Sequence, residues 1–99
     1  MDSILSEKWF AMSLVQQMLS IGNEVKRAVR FDHDKKKKDM FLEKAILYTE
    51  LSMEDPKNAR IIPELCISKE VLEDYKGEHR LNCTKEQINN YYGSYMNLL

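Results

Sequence analysis

Arg27 and His33 are the side chains of this sequence whose types and spacing could support catalysis. An imidazole titrates near neutral pH and can transfer a proton, while a fixed guanidinium can stabilise charge that develops on a phosphoryl group. The two would meet only if the turn between them folds back. Since Arg and His occur often at such spacing, the alternative is a solvated histidine in a turn. We treat the pair as a catalytic candidate and expect no cofactor.

The same turn contains three residues of the types that bind metals, Asp32, His33 and Asp34. His79 and Cys83 could join them from a second turn at the same end of the molecule. A metal site needs at least three converging ligands that are held by further hydrogen bonds. The Glu-x-x-His pattern of di-iron helical bundles is not present. We therefore expect Asp32 and Asp34 to act as turn and cap residues, and we predict no metal site.

Basic side chains are concentrated between positions 26 and 38, where seven Lys or Arg stand against two Asp, although the whole chain has a net charge of −1. A basic end can attract RNA, an acidic protein or anionic lipid. No aromatic side chains are interleaved with the lysines for stacking on bases, so the alternative is a solvated run that aids solubility. The candidate anion- or nucleic-acid-binding residues are Lys26, Arg27, Arg30, Lys35, Lys36, Lys37, Lys38 and Arg80.

The elements that must position these residues are helices. The chain has 99 residues, 43% of them hydrophobic, with only three Gly and two Pro, which favours one all-α domain over residues 1–99. Apolar residues recur at helical spacing in four segments. The predicted helices span residues 3–30, 35–53, 56–76 and 84–99. Short connections favour antiparallel neighbours, so we expect an up-down-up-down four-helix bundle.

Local signals mark where these helices begin and end. Asp34 suits the cap of the second helix, and Asp55 followed by Pro56 suits the boundary between the second and third. Pro63 should kink the third helix or divide a short first turn from its main part, and Gly77 should end it. The fourth helix begins with a capping box at residues 84–87.

The first predicted helix has more apolar surface than one packed side needs. Its buried stripe includes Val15, and a second strip lies beside that stripe. The strip residues are Leu5, Trp9, Met12 and Leu19. They could form a helix–helix seam with another molecule, because the stripe leaves Trp9 difficult to cover within the monomer. Alternatively, the first helix is simply the most buried one, covered by the fourth helix and its tyrosines.

Several segments resemble a group of small, uncharacterised bacterial helical proteins. They lie at 13–18 (SLVQQM), 21–28 (IGNEVKRA) and 54–58 (EDPKN), and the likeness extends over roughly residues 9–76. The resemblance implies a helical bundle and no assigned activity. The Arg27–His33 spacing is also similar to that of the HEPN bundles, whose ribonuclease members carry an Arg and a His a few residues later. That resemblance implies ribonuclease activity through these two residues.

From these features we predict a non-enzymatic interaction module that self-associates as a homodimer or another homo-oligomer. The alternative is an RNA-binding or HEPN-type toxin–antitoxin component that uses the basic end. No run of about 18 apolar residues or basic-headed leader is present, so we expect a cytoplasmic protein that contacts no membrane. Cys66 and Cys83 should then be reduced thiols.

Overall fold

The computed structural model describes residues 3–78 and 85–95, and every regular element among them is a helix. This confirms the all-α prediction. Four longer helices and one short N-terminal helix pack together. None of the described helices is long and apolar enough to cross a membrane. The elements are α1 (Ser3–Phe10), α2 (Leu14–Arg30), α3 (Lys35–Glu54), a 3₁₀ helix (Pro56–Ile61), α4 (Ile62–Glu73), a π-helical segment (Asp74–Glu78) and α5 (Lys85–Tyr95).

The prediction of one continuous helix up to Arg30 is wrong, because the chain breaks between α1 and α2. Ser13 begins α2 with a capping box: its Oγ accepts from the Gln16 backbone N–H at 3.2 Å, and its own N–H donates to Gln16 Oε1 at 2.9 Å. These bonds satisfy backbone donors that a continuous helix would satisfy internally. The break makes α1 and α2 two separate helices.

The predicted starts of the second and third helices are confirmed. Asp34 caps α3, since its Oδ1 accepts from the Lys37 backbone N–H at 3.2 Å. Asp55 ends α3 and caps the 3₁₀ helix through a bond from the Lys57 backbone N–H to Oδ1 at 3.1 Å. Pro63 lies in the first turn of α4, so the third predicted helix is divided there. Of the two outcomes predicted for Pro63, a kink or a division, the structure shows the division. The Thr84 cap lies outside the described residues.

The core gathers around α3, which packs most extensively on α2 and also contacts α1 and α4. α5 joins it through Ile88 and Tyr92, and the Tyr92 hydroxyl shares a hydrogen bond of 2.5 Å with Ser68 of α4. Fully buried apolar side chains come from α2, α3, α4 and α5. Those on the first three of these helices include Met18, Ile21, Leu42, Ala45, Leu51, Leu65 and Leu72.

A buried amide connects the two chain breaks. Gln17 of α2 donates through Nε2 to the carbonyl oxygen of Trp9 at 3.0 Å and to Asp55 Oδ2 at 2.9 Å. Its Oε1 accepts from Asn58 Nδ2 at 2.7 Å. Gln17 is completely buried, so each of these bonds compensates for lost hydration. The α1–α2 junction is thereby attached to the junction between α3 and the 3₁₀ helix.

Candidate functional site

The outward side of α2 carries two large apolar side chains in contact with solvent. Val15 is 47% exposed and Leu19 is 48% exposed, one helical turn apart. Lys26 and Arg30 lie seven and eleven residues after Leu19 and continue the same face, both exposed. We call these four residues the α2 outer face. Val15 was predicted in the buried stripe, and that prediction is wrong.

Trp9 does not belong to an exposed strip, and the expectation that it is difficult to cover within the monomer is wrong. It is 3% exposed, and its Nε1–H donates to Ser52 Oγ at 3.0 Å. Its ring stacks on that of Tyr48, and both partners belong to α3. The break at Ser13 is the physical reason: α1 and α2 are separate helices, so one helical wheel does not apply to both.

The other two strip residues, Leu5 and Met12, are more exposed than Trp9 and less exposed than Leu19. Both are half-buried and pack against the core. Among the four predicted seam residues, Leu19 is therefore the most exposed. The apolar residue exposed beside it is Val15, not Trp9. The local signal for this rearrangement is the Ser13–Gln16 capping box, which starts a new helix after Trp9.

The structure gives Arg27 and His33 different surroundings. Arg27 Nη1 donates to Glu24 Oε1 at 2.7 Å, and the Arg27 side chain is about half exposed at 52%. His33 lies exposed in the turn between α2 and α3. The Arg27 guanidinium thus already has a carboxylate partner on its own helix.

The four lysines that open α3 have unequal roles. Lys35 pairs with Asp39 at 2.9 Å, one turn further along the helix, and Lys36 is exposed. Lys37 Nζ lies 4.9 Å from the ring centroid of Phe31, within cation–π distance. Lys38 is mostly buried, with 15% of its side chain exposed. The run is therefore only partly available to an external anion. Arg80 lies outside the described residues.

Lys38 belongs to a cluster with Tyr75 and Asp32. Its Nζ lies 4.1 Å from the ring centroid of Tyr75 and 3.8 Å from Asp32 Oδ1. The Tyr75 hydroxyl donates to the same Asp32 oxygen at 2.5 Å. Two causes raise the pKa of Tyr75 well above its usual value. Burial is the larger, and this hydrogen bond to a carboxylate is the second. The cluster attaches the π-helical segment to the α2–α3 turn and occupies the carboxylate of Asp32.

Among residues 3–78 and 85–95, no group of three or more His, Cys, Asp or Glu side chains could hold a metal ion. Asp34 is the cap of α3, as predicted. His79 and Cys83, the other proposed ligands, lie outside this part of the chain. Cys66 is a free thiol exposed on α4.

Comparisons with protein-family models, with curated proteins and with solved structures give no match to this chain. The resemblances to small bacterial helical proteins and to HEPN bundles therefore stay predictions.

Proposed function

We propose that this chain is a non-enzymatic interaction module whose partner is a second copy of itself, bound through the α2 outer face. The observation that carries the proposal is the exposure of Val15 and Leu19, both close to one half, on the helix whose opposite side forms the core. Burying a large apolar side chain contributes about 1.5–3 kcal/mol, so pairing two such faces would be favourable.

The charges on the same face favour an antiparallel arrangement. Lys26 and Arg30 occupy the C-terminal half of α2, whereas Val15 and Leu19 occupy its N-terminal half. A two-fold axis midway between the levels of Val15 and Leu19 would place Val15 of each α2 helix beside Leu19 of the other. The basic halves would then point away from each other, so like charges would not be opposed. This supports a symmetric dimer over an open head-to-tail chain.

Sedimentation equilibrium over a range of concentrations tests the proposal. The unaltered chain should show a monomer–dimer equilibrium, and Leu19→Glu should give a folded monomer because it places a charge in the apolar half of the face. Ile67→Glu is the matched control: Ile67 is 45% exposed, but it lies on α4, so the dimer should persist. A wild-type chain that stays monomeric at high micromolar concentration would refute the proposal, as would equal effects of both substitutions.

The proposal includes an up-down-up-down order for α2, α3, α4 and α5. Its support is the short turn of residues 31–34 between α2 and α3, together with the extensive packing of those two helices. In such a bundle, the α2 outer face would point toward solvent and would be free to bind a second copy.

The second candidate function is RNA binding by the basic end. A more specific version of this hypothesis is a HEPN-type toxin–antitoxin component. One observation favours RNA binding: Lys26, Arg30 and Lys36 are exposed, and within the described ranges none has a carboxylate at ion-pair distance. Affinity should then fall steeply with salt, and Lys26→Gln with Lys36→Gln should weaken it. Ribonuclease activity would have to disappear in both Arg27→Ala and His33→Ala.

A further inference from the structure

A cavity of about 360 Å³ lies between α1, α2 and Tyr48 of α3. Apolar and aromatic groups, including Met12 and the stacked Trp9–Tyr48 pair, form part of its wall. Two cations, Lys8 and Arg27, line it as well, together with the carboxylate of one glutamate. Its volume is at the lower end of the range for sites that bind small molecules, which suits a compact metabolite and excludes a dinucleotide.

That glutamate, Glu24, is a buried carboxylate with only half of its hydrogen-bonding capacity in use. Its side chain is 8% exposed, and Oε1 accepts from Arg27 Nη1 at 2.7 Å. Oε2 is buried and has no hydrogen-bond partner in the part of the chain that the structure describes. Buried carboxylate oxygens are normally paired, because losing hydration without a new bond is unfavourable. Glu24 lines the cavity, so an oxygen of this carboxylate that turned toward the cavity would be a position for a donor from a ligand.

A ligand could reach this carboxylate without breaking its ion pair. The last torsion of a glutamate side chain has a broad, two-fold distribution, so its carboxylate plane turns easily. A turn toward the cavity would present one oxygen to a ligand while Arg27 keeps the other. Arg27 is half exposed and Lys8 is exposed, so both cations can also meet an anionic group at the mouth of the cavity.

We propose that this cavity binds an α-amino acid with an apolar side chain. Its ammonium group would donate to Glu24, and its carboxylate would lie between Lys8 and Arg27. Its side chain would pack against Met12 and the ring of Tyr48. The site carries two cations and one anion, so a zwitterion matches each end of it. A plain amine would leave Lys8 without an anion, and a plain anion would leave one oxygen of Glu24 without a donor.

Glu24 lies away from the α2 outer face. At about 100° per residue, it lies about 140° around α2 from Leu19 and about 180° from Val15. Asn23 and Arg27 also line the cavity and lie about 40° and 80° from Leu19, so the cavity borders that face. Leu19→Glu separates the two proposals, because it alters the dimer face and leaves Glu24, Lys8 and Arg27 in place. It should therefore keep its amino-acid affinity whether or not the wild type dimerises.

Trp9 supplies the measurement because it is the only tryptophan of the chain and lies in the cavity wall. Titration with L-leucine, and with L-methionine, should change its emission in a saturable way. L-leucinamide lacks the carboxylate, and N-acetyl-L-leucine lacks the ammonium group. Each should bind about tenfold or more weakly than L-leucine, because each loses one charge-assisted interaction. This comparison uses the unaltered chain, so it does not depend on the folding of any variant.

Glu24→Gln should weaken L-leucine binding about tenfold or more, since it removes the charge that attracts the ammonium group. Glu54→Gln is the matched control, because Glu54 is exposed at the end of α3, and its affinity should equal that of the wild type. The proposal is overturned if neither amino acid gives a saturable change. It is also overturned if N-acetyl-L-leucine binds as tightly as L-leucine, or if a folded Glu24→Gln chain retains full affinity.

Discussion

The indole ring of Trp9 stacks on the ring of Tyr48, with 4.7 Å between the ring centroids and 18° between the ring planes. The first ring belongs to α1 and the second to α3, so the contact attaches the N-terminal helix to the centre of the molecule. α1 has eight residues, too few for a helix to be stable in water by itself. Its helical state therefore depends on this anchor and on the bond from Trp9 Nε1 to Ser52.

Trp9→Ala should lower the free energy of unfolding by about 3–5 kcal/mol, because it removes a large buried side chain and leaves a cavity. It also leaves the Ser52 hydroxyl without the indole donor. Urea titration followed by circular dichroism measures the effect. Phe10→Ala is the control: Phe10 is the adjacent residue but is 37% exposed, so its loss should be about 1 kcal/mol or less. Similar losses for both variants would contradict the anchoring role.

The second prediction concerns the amide that joins the two chain breaks. Gln17→Ala leaves the carbonyl oxygen of Trp9, the carboxylate of Asp55 and the amide of Asn58 each without one partner. Since all of this is buried, we expect a loss of about 2–4 kcal/mol in the free energy of unfolding. Asn23→Ala, on the exposed side of the same helix, should change it by no more than about 0.7 kcal/mol.

Thermal and urea unfolding of the two variants should agree in rank. A Gln17→Ala chain as stable as Asn23→Ala would show that the network contributes nothing beyond packing. A loss larger than that of Trp9→Ala would show instead that both junctions open when the amide is removed.

The starts of α3 and the 3₁₀ helix could be predicted from the sequence because their causes are local. Asp34 and Asp55 each bond to a backbone N–H within three residues. Such side-chain to backbone bonds depend on residue type and spacing alone. The same reasoning could have found the break before α2, since Ser13 and Gln16 form an equally local capping box.

The positions of Trp9 and Gln17 could not be predicted in the same way. Gln17 bonds to Asp55 across 38 positions of the chain, and Trp9 bonds to Ser52 across 43. These contacts follow from how α1 and α2 pack on α3 and on the junction after it, which periodicity within one helix does not determine. The cavity beside Glu24 depends on the same packing, so the sequence alone gave no reason to single out that residue.

The third prediction is a dependence of stability on pH through Asp55. Burial alone would raise the pKa of this carboxyl, but hydrogen bonds from Lys57 and Gln17 outweigh burial, so its pKa lies below the usual value. A carboxyl whose pKa is lower in the folded state stabilises the fold above its unfolded pKa of about 3.9. That contribution is lost as the pH falls through the folded pKa.

Asp55→Asn should therefore be less stable than the wild type at neutral pH, and the difference should shrink as the pH falls below about 4. Urea midpoints of the wild type and of Asp55→Asn, measured at neutral pH and at a pH below about 4, check this. Glu54→Gln removes the neighbouring exposed carboxylate and should match the wild type at neutral pH. A constant difference between wild type and Asp55→Asn across the whole range would mean that shape, rather than charge, makes Asp55 important.

The last prediction separates two lysines that the sequence presents as equivalent members of one run. Lys38 lies with its Nζ 4.1 Å from the Tyr75 ring centroid and is mostly buried, whereas Lys36 is exposed. Lys38→Gln should lower the free energy of unfolding by about 1 kcal/mol, because a cation over an aromatic ring and beside Asp32 is lost. Lys36→Gln should leave stability unchanged but reduce any RNA affinity. Equal stability of the two variants would contradict a structural role for Lys38.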